Sequence, residues 1–242
     1  MSEKIALITG GNKGIGFETA RQLARTGVRV IVGSRDRKNG VDASLKLQGE
    51  GLDVQALVID VTSQASIAAA VREVESKHGR LDILINNAGV MADAYDKKPS
   101  EQTLEAWRKT FDTNLFGLVA VTQAFLPLLK KSAAGRIVNL SSLLGSNTLH
   151  QDPDSSIYHF KVPAYNVSKS AVNAWTVHLA YELRDSKIKV NAAHPGHVKT
   201  DMGGENAPME IVDGAKTSVQ LALIGEDGPN GAFIHLGETL PW

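Results

Sequence analysis

The sequence predicts a doubly wound α/β domain on a seven-stranded parallel sheet, and two patterns predict it. Short apolar runs rich in Val, Ile and Leu alternate with amphipathic helical stretches from residue 5 to residue 236. That is the order of βαβ units, whose crossovers place helices on both faces of a sheet. The apolar runs are also continuous, as strands buried on both sides require.

The elements follow in order. Residues 5–8, Ile-Ala-Leu-Ile, read as the first strand, and 14–25 as the helix after it. Residues 28–33 and 54–59 form the second and third strands, each followed by a helix, over 37–51 and 64–78. A fourth strand covers 81–85, and 100–131 supplies two helices. Residues 136–140, 188–193 and 231–236 complete the sheet, with a long helix over 163–184 and another over 209–223. No repeat, low-complexity tract or linker-like shift divides the 242 residues, so a single domain over 1–242 is expected.

Two connections, 143–162 and 196–208, read as long structureless loops. Loops of that length in a compact domain are commonly binding loops or lids. Both follow strands, so both emerge at the C-terminal edge of the sheet, where ligands bind in such folds.

Composition narrows the function. The 26 Lys+Arg and 26 Asp+Glu cancel, leaving no basic field for nucleic acid or an anionic membrane. With no cysteine, disulfides, thiolate metal sites and a cysteine nucleophile are excluded. The N-terminal apolar stretch is too short for a signal segment, and the apolar window 115–129 is too short and too interrupted to span a bilayer. The expectation is a cytoplasmic protein with a buried core helix over that window. His194 and His197 are separated by Pro195-Gly196, which breaks helical geometry, so no metal is expected there.

After the first strand comes Thr9-Gly10-Gly11-Asn12-Lys13-Gly14-Ile15-Gly16. Its glycines let the backbone turn tightly against a pyrophosphate, and the helix it opens offers free N–H groups and a positive dipole end. The turn therefore reads as dinucleotide-binding, in a Rossmann-type fold. At the end of the fourth strand stands Asn86-Asn87-Ala88-Gly89. Its amides suit bracing of the sheet edge, and its small residues leave room for a ribose.

Of four tyrosines, only Tyr165 has a lysine four residues on, Lys169. On a helix the two share a face. Reduction of a ketone by hydride leaves an alkoxide that needs a proton. A phenol titrates near pH 10 in water, and a neighbouring ammonium lowers that value. Tyr165 is thus a candidate general acid in reduction and base in oxidation. No G-x-S-x-G elbow is present, which disfavours acyl transfer.

The glycine turn, with its G-x-x-x-G-x-G spacing, the Asn-Asn-Ala-Gly and the Tyr165–Lys169 pair together resemble the short-chain dehydrogenase/reductase family. Within it, Gly10-Gly-Asn-Lys-Gly14 and Pro195-Gly-His-Val-Lys-Thr-Asp-Met202 are similar to the carbonyl reductase branch. The resemblance implies cofactor contacts from Gly10, Asn12, Lys13, Gly14, Ile15 and Gly16, and adenine contacts from Asp60 and Val61. It further implies ribose and nicotinamide contacts from Asn87, Ala88, Gly89, Tyr165, Lys169, Pro195, Gly196, Val198 and Thr200. Ser142 corresponds to the serine that steadies the substrate carbonyl, with Ser141 expected to face away. Asn114 corresponds to the asparagine that bends a helix and anchors a proton-relaying water.

Cofactor choice turns on Ser34-Arg35-Asp36. The family's NAD-selecting acid stands directly at the strand end, which here is Ser34. Arg35, helped by Lys13, suits the 2′-phosphate of NADP(H). Asp36, 20 residues beyond Gly16, carries the competing reading of an NAD-linked alcohol dehydrogenase. A third reading is a non-catalytic nucleotide-binding protein, which the full Asn114, Ser142, Tyr165 and Lys169 set argues against. Ser142 and Tyr165 lie 23 residues apart, about ten more than is usual in the family. His150, Tyr158 and Phe160 in that extra segment are expected to shape specificity for a small carbonyl substrate. The same segment leaves monomer and homo-oligomer both open.

Overall fold

Every residue of strand β1 (Ile5–Thr9) is buried. Ile5 and Leu7 feed one hydrophobic core, Ala6 and Ile8 another on the opposite face. This period-2 division requires helices on both sides. In the computed structural model, which describes residues 4–242, helices α1 (Gly14–Arg25), α2 (Arg37–Gln48) and α8 (Ile211–Leu223) cover one face. Helices α3 (Gln64–His78), α5 (Leu118–Leu129) and α7 (Pro163–Glu182) cover the other. Truncating a residue such as Leu7, which is fully buried, would cost about 2–5 kcal/mol.

The remaining strands are β2 (Arg29–Ser34), β3 (Val54–Val58), β4 (Ile83–Asn86), β5 (Arg136–Leu140), β6 (Lys189–Ala193), β7 (Phe233–His235) and β8 (Glu238–Thr239). They lie in the order β3-β2-β1-β4-β5-β6-β7-β8. The first seven are parallel, as expected; β8 is an eighth, antiparallel strand on β7. Two residues are too short to carry a hydrophobic period, which hid β8 from sequence reasoning. The hairpin between them places Leu236 and Gly237 at positive φ and trims the expected strand 231–236 to three residues.

Three further expectations are refined. Residues 104–129 form one unbroken helical run, not two separate helices: α4 (Leu104–Phe111), a π-helical segment (Asp112–Gly117) and α5. This run is long and apolar enough to cross a membrane by length and composition, but Val121, Phe125, Leu128 and Leu129 pack into the core. The 143–162 connection is not structureless. It holds a 3-10 turn (Leu143–Gly145) and helix α6 (Asn147–Gln151), capped by the Ser146 hydroxyl. The main-chain oxygen of Trp242 accepts hydrogen bonds from the Thr148 N–H and the Ser146 hydroxyl, while its indole stacks on Phe233. The 196–208 connection is tied at its ends by a parallel bridge between Val198 and Met209.

Strand order reverses between β1 and β4, which are neighbours in the sheet. Ligands in open α/β sheets bind outside the strand ends at such a switch point. The glycine turn and Asn86-Asn87-Ala88-Gly89 therefore face each other.

Candidate active site

The glycine turn is built around close approaches. Gly10 and Gly14 adopt positive φ, +62° and +54°, where an L side chain is strained. Gly16 is a glycine for another reason: a Cβ there would stand 2.4 Å from Asn87 Nδ2 and 2.5 Å from the Gly10 carbonyl. Asn87 fills that space, donating to the carbonyls of Thr9 and Gly10 at 2.9 and 3.0 Å. The Thr9 hydroxyl accepts from the N–H groups of Asn87 and Ala88. Asn87 thus stitches β4 to β1, and Asn86 turns into the core toward Thr122 and Asn139. The backbone bracing expected of both amides is thus made by Asn87 alone, while Asn86 bonds two side chains in the core. The first turn of α1 has no side-chain cap, so its N–H groups stand free for an anion. The open backbone fits a dinucleotide. Asn12 and Ile15 are half-buried beside it.

The charged groups around this turn are differently placed. Arg35 is exposed and has no ion-pair partner among the described residues. Asp36 is occupied: its carboxylate caps α2, accepting the Asn39 N–H at 2.8 Å. Lys13 pairs with Asp201 of the 196–208 connection at 2.5 Å, with both side chains largely exposed. One Asp60 oxygen accepts from both the N–H and hydroxyl of Thr62, while Ser63 caps α3. Val61 packs against the π-helical segment, with its carbonyl 2.8 Å from where a Gly117 Cβ would lie.

The other half of the site gathers buried polar side chains. Asn114, in the π-helical segment, donates to the Val90 carbonyl (2.9 Å) and the Ser168 hydroxyl (3.0 Å) and accepts from the Val90 N–H (2.8 Å). Its three bonds tie the loop after β4 to α7. A Cβ on Gly89 would lie 3.5 Å from Asn114 Oδ1 and 3.8 Å from Lys169 Nζ, so this glycine leaves the space before both groups open.

Tyr165 and Lys169 are both buried on α7, one turn apart. Lys169 Nζ lies 5.5 Å from the Tyr165 ring centroid and donates to the Leu140 carbonyl at 2.6 Å. The expectation that Lys169 acidifies the phenol is corrected by the chain alone. Burial pushes Tyr165 up to about 12, against a smaller lowering from its hydrogen bond with Ser142. Burial also pulls Lys169 down to about 8. Desolvation disfavours both charged forms, and the ammonium is itself held by a carbonyl. The phenol is therefore held protonated at neutral pH, the state a proton donor needs.

Ser142, two residues beyond β5, hydrogen-bonds Tyr165 and caps the 3-10 turn, its hydroxyl accepting the Leu144 N–H. Ser141 does not turn away from α7: its hydroxyl donates to Asn173 Oδ1 at 2.6 Å, two turns beyond Tyr165, and so is engaged away from the phenol. The turn after Ser142 presses on α7: a Cβ on Gly145 would lie 2.8 Å from the Lys169 carbonyl carbon. His194 holds that turn from below, its Nδ1 accepting the N–H of Leu143 (3.1 Å) and of Gly196 (3.4 Å). Burial, with a smaller contribution from the His235 ring 4.8 Å away, pulls His194 down to about 3. Gly196 adopts φ +93° after the half-buried Pro195. Val198 is buried, and the Thr200 hydroxyl accepts the Gly203 N–H. Around the mouth, His150 bridges the Leu144 carbonyl and Lys161 Nζ, and Lys161 lies over the Tyr158 ring. Phe160 is 44% exposed, open to whatever binds there.

Sequence reasoning missed two residues here: Asp93, whose carboxylate accepts the N–H groups of Ala164 and Tyr165 at the start of α7, and His194 as a loop anchor. A signal for Asp93 existed. Helix α7 starts Val162-Pro163 with no Ser, Thr, Asp or Asn at its cap position, so its first N–H groups must borrow an acceptor from elsewhere.

Comparison with known proteins agrees with this geometry. The model of the short chain dehydrogenase family matches residues 4–211. Carbonyl reductase [NADPH] 1 of Mus musculus is 33% identical over 100% of this chain and 99% of its own. The (+)-neomenthol dehydrogenase of Capsicum annuum is 32% identical over 98% of this chain and 97% of its own. Among solved structures, NADPH-bound carbonyl reductase from chicken fatty liver superposes with a TM-score of 0.87 at 30% identity, covering 100% of both chains. Salutaridine reductase from Papaver somniferum gives 0.84 at 31% identity, covering 96% of this chain and 99% of its own. With its glycine turn, its Asn-Asn-Ala-Gly and its buried Ser142–Tyr165–Lys169 cluster, the chain is an oxidoreductase of the short-chain dehydrogenase family.

Proposed function

We propose that this protein is an NADP(H)-dependent carbonyl reductase that converts a ketone or aldehyde to the alcohol. The observation that carries the reading is the buried meeting of Ser142, Tyr165 and Lys169 beside the open face of Gly89. NADP(H), when bound, supplies the hydride for the carbonyl carbon. Gly10, Asn12, Gly14, Ile15 and Gly16 would hold its pyrophosphate side, and Asp60 and Val61 its adenine. Asn87, Ala88 and Gly89, with Pro195, Gly196, Val198 and Thr200, would line its ribose and nicotinamide side. Unpaired Arg35 would meet the 2′-phosphate, with Lys13 released from Asp201 to add a second charge. The engagement of Asp36 as the α2 cap counts against the NAD-linked reading.

In the chemical step the Ser142 hydroxyl donates to the substrate carbonyl oxygen and steadies the charge that develops there. Tyr165 passes its phenolic proton to that oxygen, completing the alcohol. The phenolate left behind is stabilised by the Lys169 ammonium. Asn114 would anchor a water that returns protons toward Lys169. The neutral phenol of the free chain suits the reductive direction.

The test is consumption of NADPH by the purified protein with simple ketones and aldehydes. Replacing Tyr165 by Phe should cut kcat about 10²–10⁴-fold while NADPH still binds. A Tyr165→Phe variant that reduces carbonyls near the parental rate removes the proposed acid.

A further inference from the structure

The loop between β4 and α4 is clamped twice by side-chain amides. Asn114 holds both the N–H and the carbonyl of Val90. Gln102, itself buried, holds both the N–H and the carbonyl of Ala94, at 2.9 and 2.7 Å. Each clamp mimics a strand partner and fixes one loop residue completely. Between the clamps stands Asp93, a buried carboxylate with no ion-pair partner among the described residues. Its two oxygens accept the N–H of Ala164 at 2.8 Å and the N–H of Tyr165 at 3.0 Å, from more than 70 positions away in sequence.

Those are the N–H groups that the start of α7 leaves without a partner. Pro163 has none to offer, Val162 brings no capping side chain, and the Asn166 N–H already reaches the Val162 carbonyl. A carboxylate at a helix N-terminus also meets the positive end of the dipole. The residue so gripped is the proposed acid itself. We infer that Asp93 is the positioning residue for Tyr165, a strut that sets the phenol's distance from the cofactor strand through the rigid 90–94 loop. This rests on the reading of Tyr165 as the proton donor. A local cap at 162 would stabilise the helix equally well but would leave its N-terminal turn without a tie to the loop after β4, whose other link to α7, through Asn114, falls one turn further on at Ser168. The remote carboxylate instead makes helix capping and active-site alignment one interaction.

The experiment separates the two. In Asp93→Ala, amide hydrogen exchange at Ala164 and Tyr165 should accelerate tenfold or more, with Leu179 further along α7 unchanged. The value of kcat should fall about 10–100-fold, while KM for NADPH stays within twofold. Asp93→Asn, which keeps the shape and one acceptor, should fall between and guards against a variant that does not fold. Adding Val162→Ser to Asp93→Ala supplies a local cap; it should restore exchange protection but not kcat. Recovery of kcat in that double variant would make Asp93 a helix cap only and overturn the inference. Unchanged exchange in both single variants, or faster exchange with kcat within twofold of the parent, would overturn it as well. Exchange requires no turnover, so an inactive parent protein would sink the proposed function and leave the grip of Asp93 on Tyr165 to be judged on its own.

Discussion

The two halves of the site are held in opposite ways. Around the proposed adenosine side the charged groups are exposed: Arg35 has no ion-pair partner among the described residues, and Lys13 meets Asp201 in a solvent-exposed pair. Around the chemistry the central polar groups are buried and bonded, Asn114 through three contacts and Lys169 through a 2.6 Å bond to a main-chain carbonyl. Exposed charges in high dielectric are worth little individually and tolerate exchange, whereas buried polar groups are costly to leave unpartnered. On the proposed reading, cofactor preference is the adjustable property of this protein and the proton-transfer geometry the fixed one.

The sharpest attempt to break that contrast is Lys169→Met, which keeps the bulk and removes the charge. It should lower kcat about 10²–10⁴-fold and orphan the Leu140 carbonyl; steady-state rates with NADPH would check it, and a loss under fivefold would mean the ammonium is not needed. Next comes Gly16→Ala. Its Cβ would collide with Asn87 Nδ2 and the Gly10 carbonyl, so the β1–β4 stitch must move. A stability loss of about 1–3 kcal/mol is expected in denaturant melts, with NADPH binding weakened beyond detection by fluorescence. Arg35→Ala should weaken NADPH binding about 10–100-fold, the worth of a charged hydrogen bond, and leave NADH nearly untouched. Equal losses for both cofactors would place the phosphate elsewhere.

A further effect concerns pH. His194 in the folded chain sits at about 3, below its unfolded value near 6.5. Its contribution is therefore complete above pH 6.5 and lost as pH falls toward 3, because only the unfolded chain takes up the proton. Stability should decline through that window by about 1.4 kcal/mol per pH unit at most, read as a falling melting temperature, and His194→Asn should flatten the slope. Smallest of all, Asp201→Asn should change stability by less than about 1 kcal/mol and tighten NADPH binding no more than severalfold by freeing Lys13.

Most of the architecture was legible because buried parallel strands write themselves as continuous apolar runs; β1 to β6 differ from expectation only at their ends. The short β8 and the order inside 143–162 were not, since two-residue strands and capped single turns carry no period. The site residues divide similarly. Tyr165 and Lys169 were legible from their i,i+4 spacing and Gly16 and Asn87 from the strand-end motifs, whereas Ser142 came only from the family resemblance. Asp93 and His194 act through main-chain partners 51 to 72 positions away, and nothing local in sequence encodes such a distance. The sign of the phenol's shift was misjudged for a related reason: spacing places a lysine nearby but says nothing of how much water both groups lose.

The π-helical segment at Asp112–Gly117 carries one more consequence. Its wider turn resets the angular phase of the long helix, so that α4 and α5 need not share a single facing stripe. Removing one residue there would rotate everything downstream by about 100°, lifting Phe125 and Leu128 out of the interior or dragging Asn114 off Val90. Natural length variation in this protein's descendants should therefore spare these six positions and accumulate instead in the surface connection after Gly203.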